Sequence, residues 1–182
     1  STFTTSGRID RITARGDISG TSINSDGPNG SIILVQAGNS ITDASIVSSG
    51  IIGRIQADRG DITGVIRTTD ETDGDLQNVR AGRDLGASLN IARDVGTIQA
   101  GRNIGRRLLD GSTPDVIRVY GNLSNLTAGG QLYADLNVGW NILGTVSIGR
   151  VYALPNPSPN TNNEDRDRVS DAQIVAYGRI NA

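Results

Sequence analysis

The sequence predicts an all-β fold, a single-stranded parallel β-helix (β-solenoid) of about seven coils. Three observations carry it. One phrase returns at 30–47, 74–91 and 121–138, and its last two copies agree at nine of eighteen positions without a gap. Ile12, Ile55 and Ile98 stand at a constant spacing of 43, with Ala14, Ala57 and Ala100 in step. The chain also carries 24 Gly. Each interior Gly would cost a helix roughly 0.5–1 kcal/mol relative to Ala, so continuous helices are excluded.

Aligning the phrases brings the apolar positions together. Ile32 matches Leu76 and Leu123; Val35 matches Val79 and Leu126; Ile41 matches Leu85 and Leu132; Val47 matches Ile91 and Val138. Between them fall Ala37, Ala81 and Ala128, each followed by a glycine, Gly38, Gly82 and Gly129. Short Ile- and Val-rich bursts separated by Gly-x turns read as strands, and the Ala-Gly pairs as corners. Three faces per coil would use about 21–24 residues, so a unit of 43 to 48 residues is two coils. Coils about 4.8 Å apart would give a body roughly 30–35 Å tall.

One domain, 1–182, is expected, with units at about 9–51, 52–94 and 95–142 and a partial unit at 143–153. A Pro-rich, charged loop at 154–168 and a terminal strand segment at 169–182 complete it. Shorter loops are expected at Asn24–Asn29, Thr68–Asp73 and Asp110–Asp115, at equivalent places in the three units.

Composition narrows the chemistry. Cys, His, Met and Lys are all absent, so every one of the 17 basic residues is Arg. A Ser–His or Cys–His nucleophile pair is impossible, and the usual general base and the commonest transition-metal ligand are missing. Neither catalytic residues nor a cofactor are expected. The net charge of −2 argues against a nucleic-acid partner. No apolar run approaches the roughly 18 residues that span a bilayer. A chain that begins at Ser1 and lacks Met points to a processed N-terminus, with a secretion signal removed.

Arg and Asp gather beside the turns, at Arg15, Asp17, Arg59, Asp61, Arg80, Arg83, Asp84, Arg93 and Asp94. Two of these groups spell Arg-Gly-Asp, at 15–17 and 59–61, in equivalent positions of the unit; they read as repeat corners rather than adhesion motifs. Asp70, Glu71, Asp73 and Asp75, with Asp165 and Asp167 further on, are candidate Ca2+ ligands by oxygen chemistry alone, without EF-hand spacing. Solvated loops explain them more simply. Tyr120, Tyr133 and Trp140 are candidate glycan contacts, or else ring packing in the late coils. Sequons begin at Asn29, Asn122 and Asn125.

The corners Ala81-Gly82-Arg83-Asp84-Leu85 and Ala100-Gly101-Arg102-Asn103-Ile104 resemble the repeats of filamentous-haemagglutinin-type bacterial surface proteins, over about 7–153. That resemblance implies a right-handed coil and an extracellular or cell-surface setting, and it transfers no functional residue. The function expected first is an extracellular structural protein that assembles head to tail with copies of itself. Its interface would use Ile9 and Ile12 against Ile174, Val175, Tyr177 and Ile180, with 174–182 pairing to 7–14 of the next copy. A polysaccharide-binding or adhesive module is the alternative, and a polysaccharide lyase or glycosidase the third.

Overall fold

A computed structural model describes residues 1–28, 30–106, 115–149 and, as backbone, 174–176. The strands run β1 (Thr2–Thr5), β2 (Arg8–Ile9), β3 (Ile12–Ala14), β4 (Ile18–Ser19), β5 (Ser22–Ser25), β6 (Ser31–Ala37), β7 (Ile41–Ser48), β8 (Ile52–Ala57) and β9 (Ile62–Thr68). They continue as β10 (Leu76–Ala81), β11 (Leu85–Ile91), β12 (Val95–Ala100), β13 (Val116–Val119), β14 (Leu123–Ala128), β15 (Asp135–Val138), β16 (Val146–Ile148) and β17 (Ile174–Ala176). The chain alternates between two sheets. Sheet A runs β1-β5-β7-β9-β11-β13-β15-β17, with β4 also on β7; sheet B runs β16-β14-β12-β10-β8-β6-β2, with β3 also on β6.

Among the described residues every pairing is parallel, and along the buried columns aliphatic residues stack on aliphatic residues. In sheet B, Ile12, Val35, Ile55, Val79, Ile98, Leu126 and Val146 form one continuous column. Ile12, Ile55 and Ile98 are thus alternate rungs, and their spacing of 43 residues is two coils. A second column, Ile9, Ile32, Ile52, Leu76, Val95, Leu123 and Ile142, has seven rungs and so six turns between its ends. Six turns at about 4.8 Å per strand spacing span roughly 29 Å. The fold is a β-solenoid of about six turns.

Strand alternation explains the core. Side chains point to opposite faces at successive positions, so each strand sends every second or third apolar residue inward. Ile32, Val35, Ile52, Ile55, Leu76, Val79, Ile98, Leu123 and Leu126 are fully buried. Burying such a side chain stabilises by about 1.5–3 kcal/mol. The columns hold the stack.

Sequence reading expected three faces per coil, and two sheets form instead. Sheet A accounts for the difference because it is creased. Its first facet stacks Ile18, Ile41, Ile62, Leu85, Ile104 and Leu132; its second stacks Phe3, Ile23, Ile46, Ile66, Leu89, Ile117 and Leu136. At the crease Asp43 has φ 50°, Gly64 φ 111°, and the pairing slips between Ile41 and Ala44. A Cβ on Gly64 would lie 2.1 Å from the Ala44 carbonyl oxygen, so only glycine fits there. The strands β7, β9 and β11 nevertheless run through the crease unbroken, merging two expected faces into one sheet.

Of the expected loops, Thr68–Asp73 and the described part of Asn24–Asn29 fall near the turn that leads from sheet A to sheet B. Residues 110–114 lie outside the described residues; before and after 107–114 the chain belongs to sheet A, at Ile104 and in β13. Asp115, almost completely buried, pairs with Arg106 at 3.1 Å and accepts from the Arg106 amide at 2.8 Å, which ties the two flanks together. The 154–168 loop and the rest of the 169–182 segment lie outside the described residues, apart from β17, which pairs with β15.

Candidate functional site

Each coil turns twice, and the two turns differ in construction. Where sheet B passes to sheet A, a polar column runs through Asp17, Ser40, Asp61, Asp84, Asn103 and Gln131. The side-chain oxygen of each rung accepts from the backbone amide of the next, at 2.9, 3.2, 3.0, 2.9 and 3.0 Å in order. Arg83 lies 3.7 Å from Asp61, and Arg102 pairs with Asp84 at 2.5 Å. Both Arg-Gly-Asp aspartates are rungs of this column, their carboxylates turned to the next coil's backbone. Glycine makes the turn possible. A Cβ on Gly101 would sit 2.2 Å from the Gly82 carbonyl oxygen, with coils at this distance.

Where sheet A returns to sheet B, the polar column is shorter: Asp75 to Asp94, Asp94 to Asn122, Asn122 to Asn141. Beside it opens a groove of about 530 Å3, walled by Arg67, Glu71, Asn90, Arg93, Tyr120 and Trp140. Ala92 and Gly121 line it too. Tyr120 and Trp140 follow the strands β13 and β15 of adjacent coils and are 54% and 62% exposed. The Trp140 amide donates to the Gly121 carbonyl at 3.1 Å, which anchors the second ring's backbone to the coil carrying the first.

The rim is built by the loop after β9. The Thr68 hydroxyl, buried, donates to the Gly74 carbonyl at 2.6 Å and accepts from the Ala92 amide at 2.8 Å. Asp70 accepts from the Thr72 amide at 2.7 Å and, more weakly, from that of Asp73. Principally the Thr72 amide, against a smaller opposing effect of desolvation, holds the Asp70 carboxyl below its ordinary value. Arg93 donates to the Thr72 carbonyl and lies 3.8 Å from Asp75 and 3.9 Å from Asp94, clamping the loop to the next coil. Glu71 is left exposed at the groove wall.

Of the expected glycan contacts, the structure brings Tyr120 and Trp140 together. Tyr133 stands apart, next to Leu132 of the first facet of sheet A, half-buried, its amide donating to the Ile104 carbonyl. The expected Ca2+ ligands do not converge. Asp70 serves its own loop and Asp75 the Asp94 amide, and among the described residues no group of three or more carboxylates could hold a metal ion. Asp165 and Asp167 lie outside the described residues. So do Asn29, Tyr177 and Ile180. Asn122 accepts from the Asn141 amide and donates to Asp94, so this sequon belongs to the polar column; Asn125 accepts from the Thr145 amide.

The expected assembly residues fall at opposite ends of the stack and on different sheets. Ile9 and Ile12 stand at the first rung of sheet B, only half-buried, whereas Ile174 and Val175 extend sheet A beside Leu136 and Asn137. Another copy continuing the stack would set β17 against β1 and β16 against β2 and β3. Sequence reading missed an outward row of sheet A, Arg67, Asn90, Arg118 and Asn137, one residue from each successive coil, of which Arg67 and Asn90 line the groove. Its signal was there: Ile66-Arg67-Thr68, Leu89-Asn90-Ile91, Ile117-Arg118-Val119 and Leu136-Asn137-Val138 all alternate in, out, in.

Compared with family profiles, curated proteins and solved structures, the chain finds no match in any of the three.

Proposed function

We propose that this solenoid is a polysaccharide-binding module, with the groove at the sheet A to sheet B turn as its site. One observation supports this most: Tyr120 and Trp140 stand exposed on adjacent coils at the wall of a groove otherwise lined by charged and amide side chains. Sugar rings offer an apolar face for stacking and a hydroxyl rim for hydrogen bonds, and this wall supplies partners for both. The scaffold suits the task because stacked parallel strands hold the rings without a folding-on-binding cost. The reading is of binding rather than turnover, since Asp94 already accepts from the Asn122 amide and side chain. We extend it to an extracellular or cell-surface setting, where such polymers are met.

Affinity electrophoresis through gels containing neutral and acidic polysaccharides tests it. Retardation by at least one polymer, weakened about tenfold or more by Trp140→Ala, is expected, since an aromatic anchor is worth about 2 kcal/mol or more. Unretarded migration in every gel would end the reading.

Self-assembly is the second reading, favoured by the first coil. Ile9, Ile12 and Ala14 are only partly covered, while their column neighbours Ile32, Val35 and Ala37 are fully buried. A further parallel coil from a second copy would cover them and pair the edge of β2 and β3. Sedimentation of the 182-residue chain should then depend on concentration, and Ile9→Asp with Ile12→Asp should abolish that dependence. A monomer at every concentration would rule it out.

A further inference from the structure

The row beside the groove narrows the ligand, an inference that rests on the groove binding polysaccharide. Arg67 and Arg118 point outward because their neighbours Ile66, Ile117 and Val119 point in and are buried. Among the described residues neither guanidinium makes a hydrogen bond or ion pair, unlike Arg83, Arg93, Arg102 and Arg106. Asn90 lies between them and Asn137 beyond, their side chains equally without partners. The row therefore alternates cation, amide, cation, amide along the solenoid axis, with no carboxylate in it.

Two strand spacings, about 9.6 Å, separate the backbone positions of Arg67 and Arg118, comparable to the length of a disaccharide. Tyr120 rises from the turn of the Arg118 coil and Trp140 from that of the Asn137 coil, and both share the groove with Arg67 and Asn90. A chain lying along the axis would meet the rings with its sugar faces and the row with its substituents. Glu71 and Asp94 also line the groove, and the protein as a whole carries −2, which disfavours a polymer with a charge on every unit. Sparse negative charge fits both facts.

We propose that the groove and the outward row that continues past it take an acidic polysaccharide bearing a carboxylate on alternate sugars, its carboxylates on Arg67 and Arg118 and its rings on Tyr120 and Trp140. Guanidinium groups suit carboxylates because their planar fork donates two parallel hydrogen bonds.

Hyaluronan, with one carboxylate per disaccharide, is the probe, and carboxyl-reduced hyaluronan is its neutral counterpart. Affinity electrophoresis should show retardation by hyaluronan that weakens as salt rises. The Arg67→Gln, Arg118→Gln double variant should bind hyaluronan at least about tenfold more weakly. Its loss toward the carboxyl-reduced polymer should be much smaller than its loss toward hyaluronan, and its thermal unfolding should match the parent, since both side chains are exposed. Equal retardation of parent and double variant by hyaluronan would overturn the assignment. So would binding confined to neutral polymers, which would leave the polysaccharide reading standing. Failure to bind any polymer would remove both.

Discussion

The two turns of each coil are built to different standards. The turn from sheet B to sheet A repeats with little change: an Ala at the strand end, close backbone contact made possible by glycine, then a polar rung caught by the next coil's amide. Six residues from Asp17 to Gln131 carry that rung through as many coils. The turn from sheet A to sheet B has an acceptor column of only four residues, Asp75 to Asn141, a loop of variable length and two exposed rings. The difference teaches where each property resides. A corner that must satisfy its neighbours' amides has little freedom to vary, because an unpaired buried donor costs about 1–3 kcal/mol. The other corner meets that duty with fewer rungs, Asp75, Asp94, Asn122 and the Thr68 hydroxyl, which leaves room for a longer loop beside them, and that loop walls the groove.

Substitutions can break this comparison or sharpen it. The largest loss belongs to the columns that both turns share: Ile98→Ala should lower unfolding free energy by about 2–5 kcal/mol in chemical denaturation, since the site cannot collapse between fixed coils. Next comes the regular turn. Gly101→Ala should cost about 1–3 kcal/mol, because its Cβ would meet the Gly82 oxygen at 2.2 Å, whereas Gly16→Ala, with nothing within 4 Å, should be close to neutral. Equal effects of the two would refute close stacking as the reason for glycine.

Polar rungs should separate the turns in the same way. Asp84→Ala strips acceptors from the Asn103 amide and side chain and from Arg102, and should cost about 1–3 kcal/mol. Glu71→Ala at the groove should stay within about 0.5 kcal/mol, as surface changes usually do. The smallest effect is local and set by pH. Asp70 is held below its ordinary value of 3.8 mainly by the Thr72 amide, so its contribution is present above that value and fades as pH falls through the lowered one. The Thr72 amide resonance should therefore titrate with a midpoint below 3.8, and a midpoint at or above it would mean the loop is not closed this way.

Much of the stack was legible in the sequence. Ile12, Ile55 and Ile98 announce a column because parallel, in-register strands place like on like, and a spacing of 43 residues can then mean only whole coils. The Ala-Gly corners were equally plain. The groove was half legible. Tyr120 and Trp140 follow the strand-like bursts 116–119 and 135–138 whereas Tyr133 precedes one, but whether the two following rings meet depends on how many residues the intervening loops consume. The row of Arg67 and Arg118 was passed over because alternation marks it only as outward, and outward positions, free of packing, repeat no residue type that singles them out.

By itself, then, the sequence determined which side chains face inward and how often the coil recurs, because burial imposes periodicity on every rung. Only the tertiary structure decided that the coil has two sheets rather than three, which carboxylates are committed to backbone amides, and that Tyr120 and Trp140 meet. Those outcomes depend on the crease at Asp43 and Gly64 and on the path of each loop, which are set by contacts between coils rather than within them.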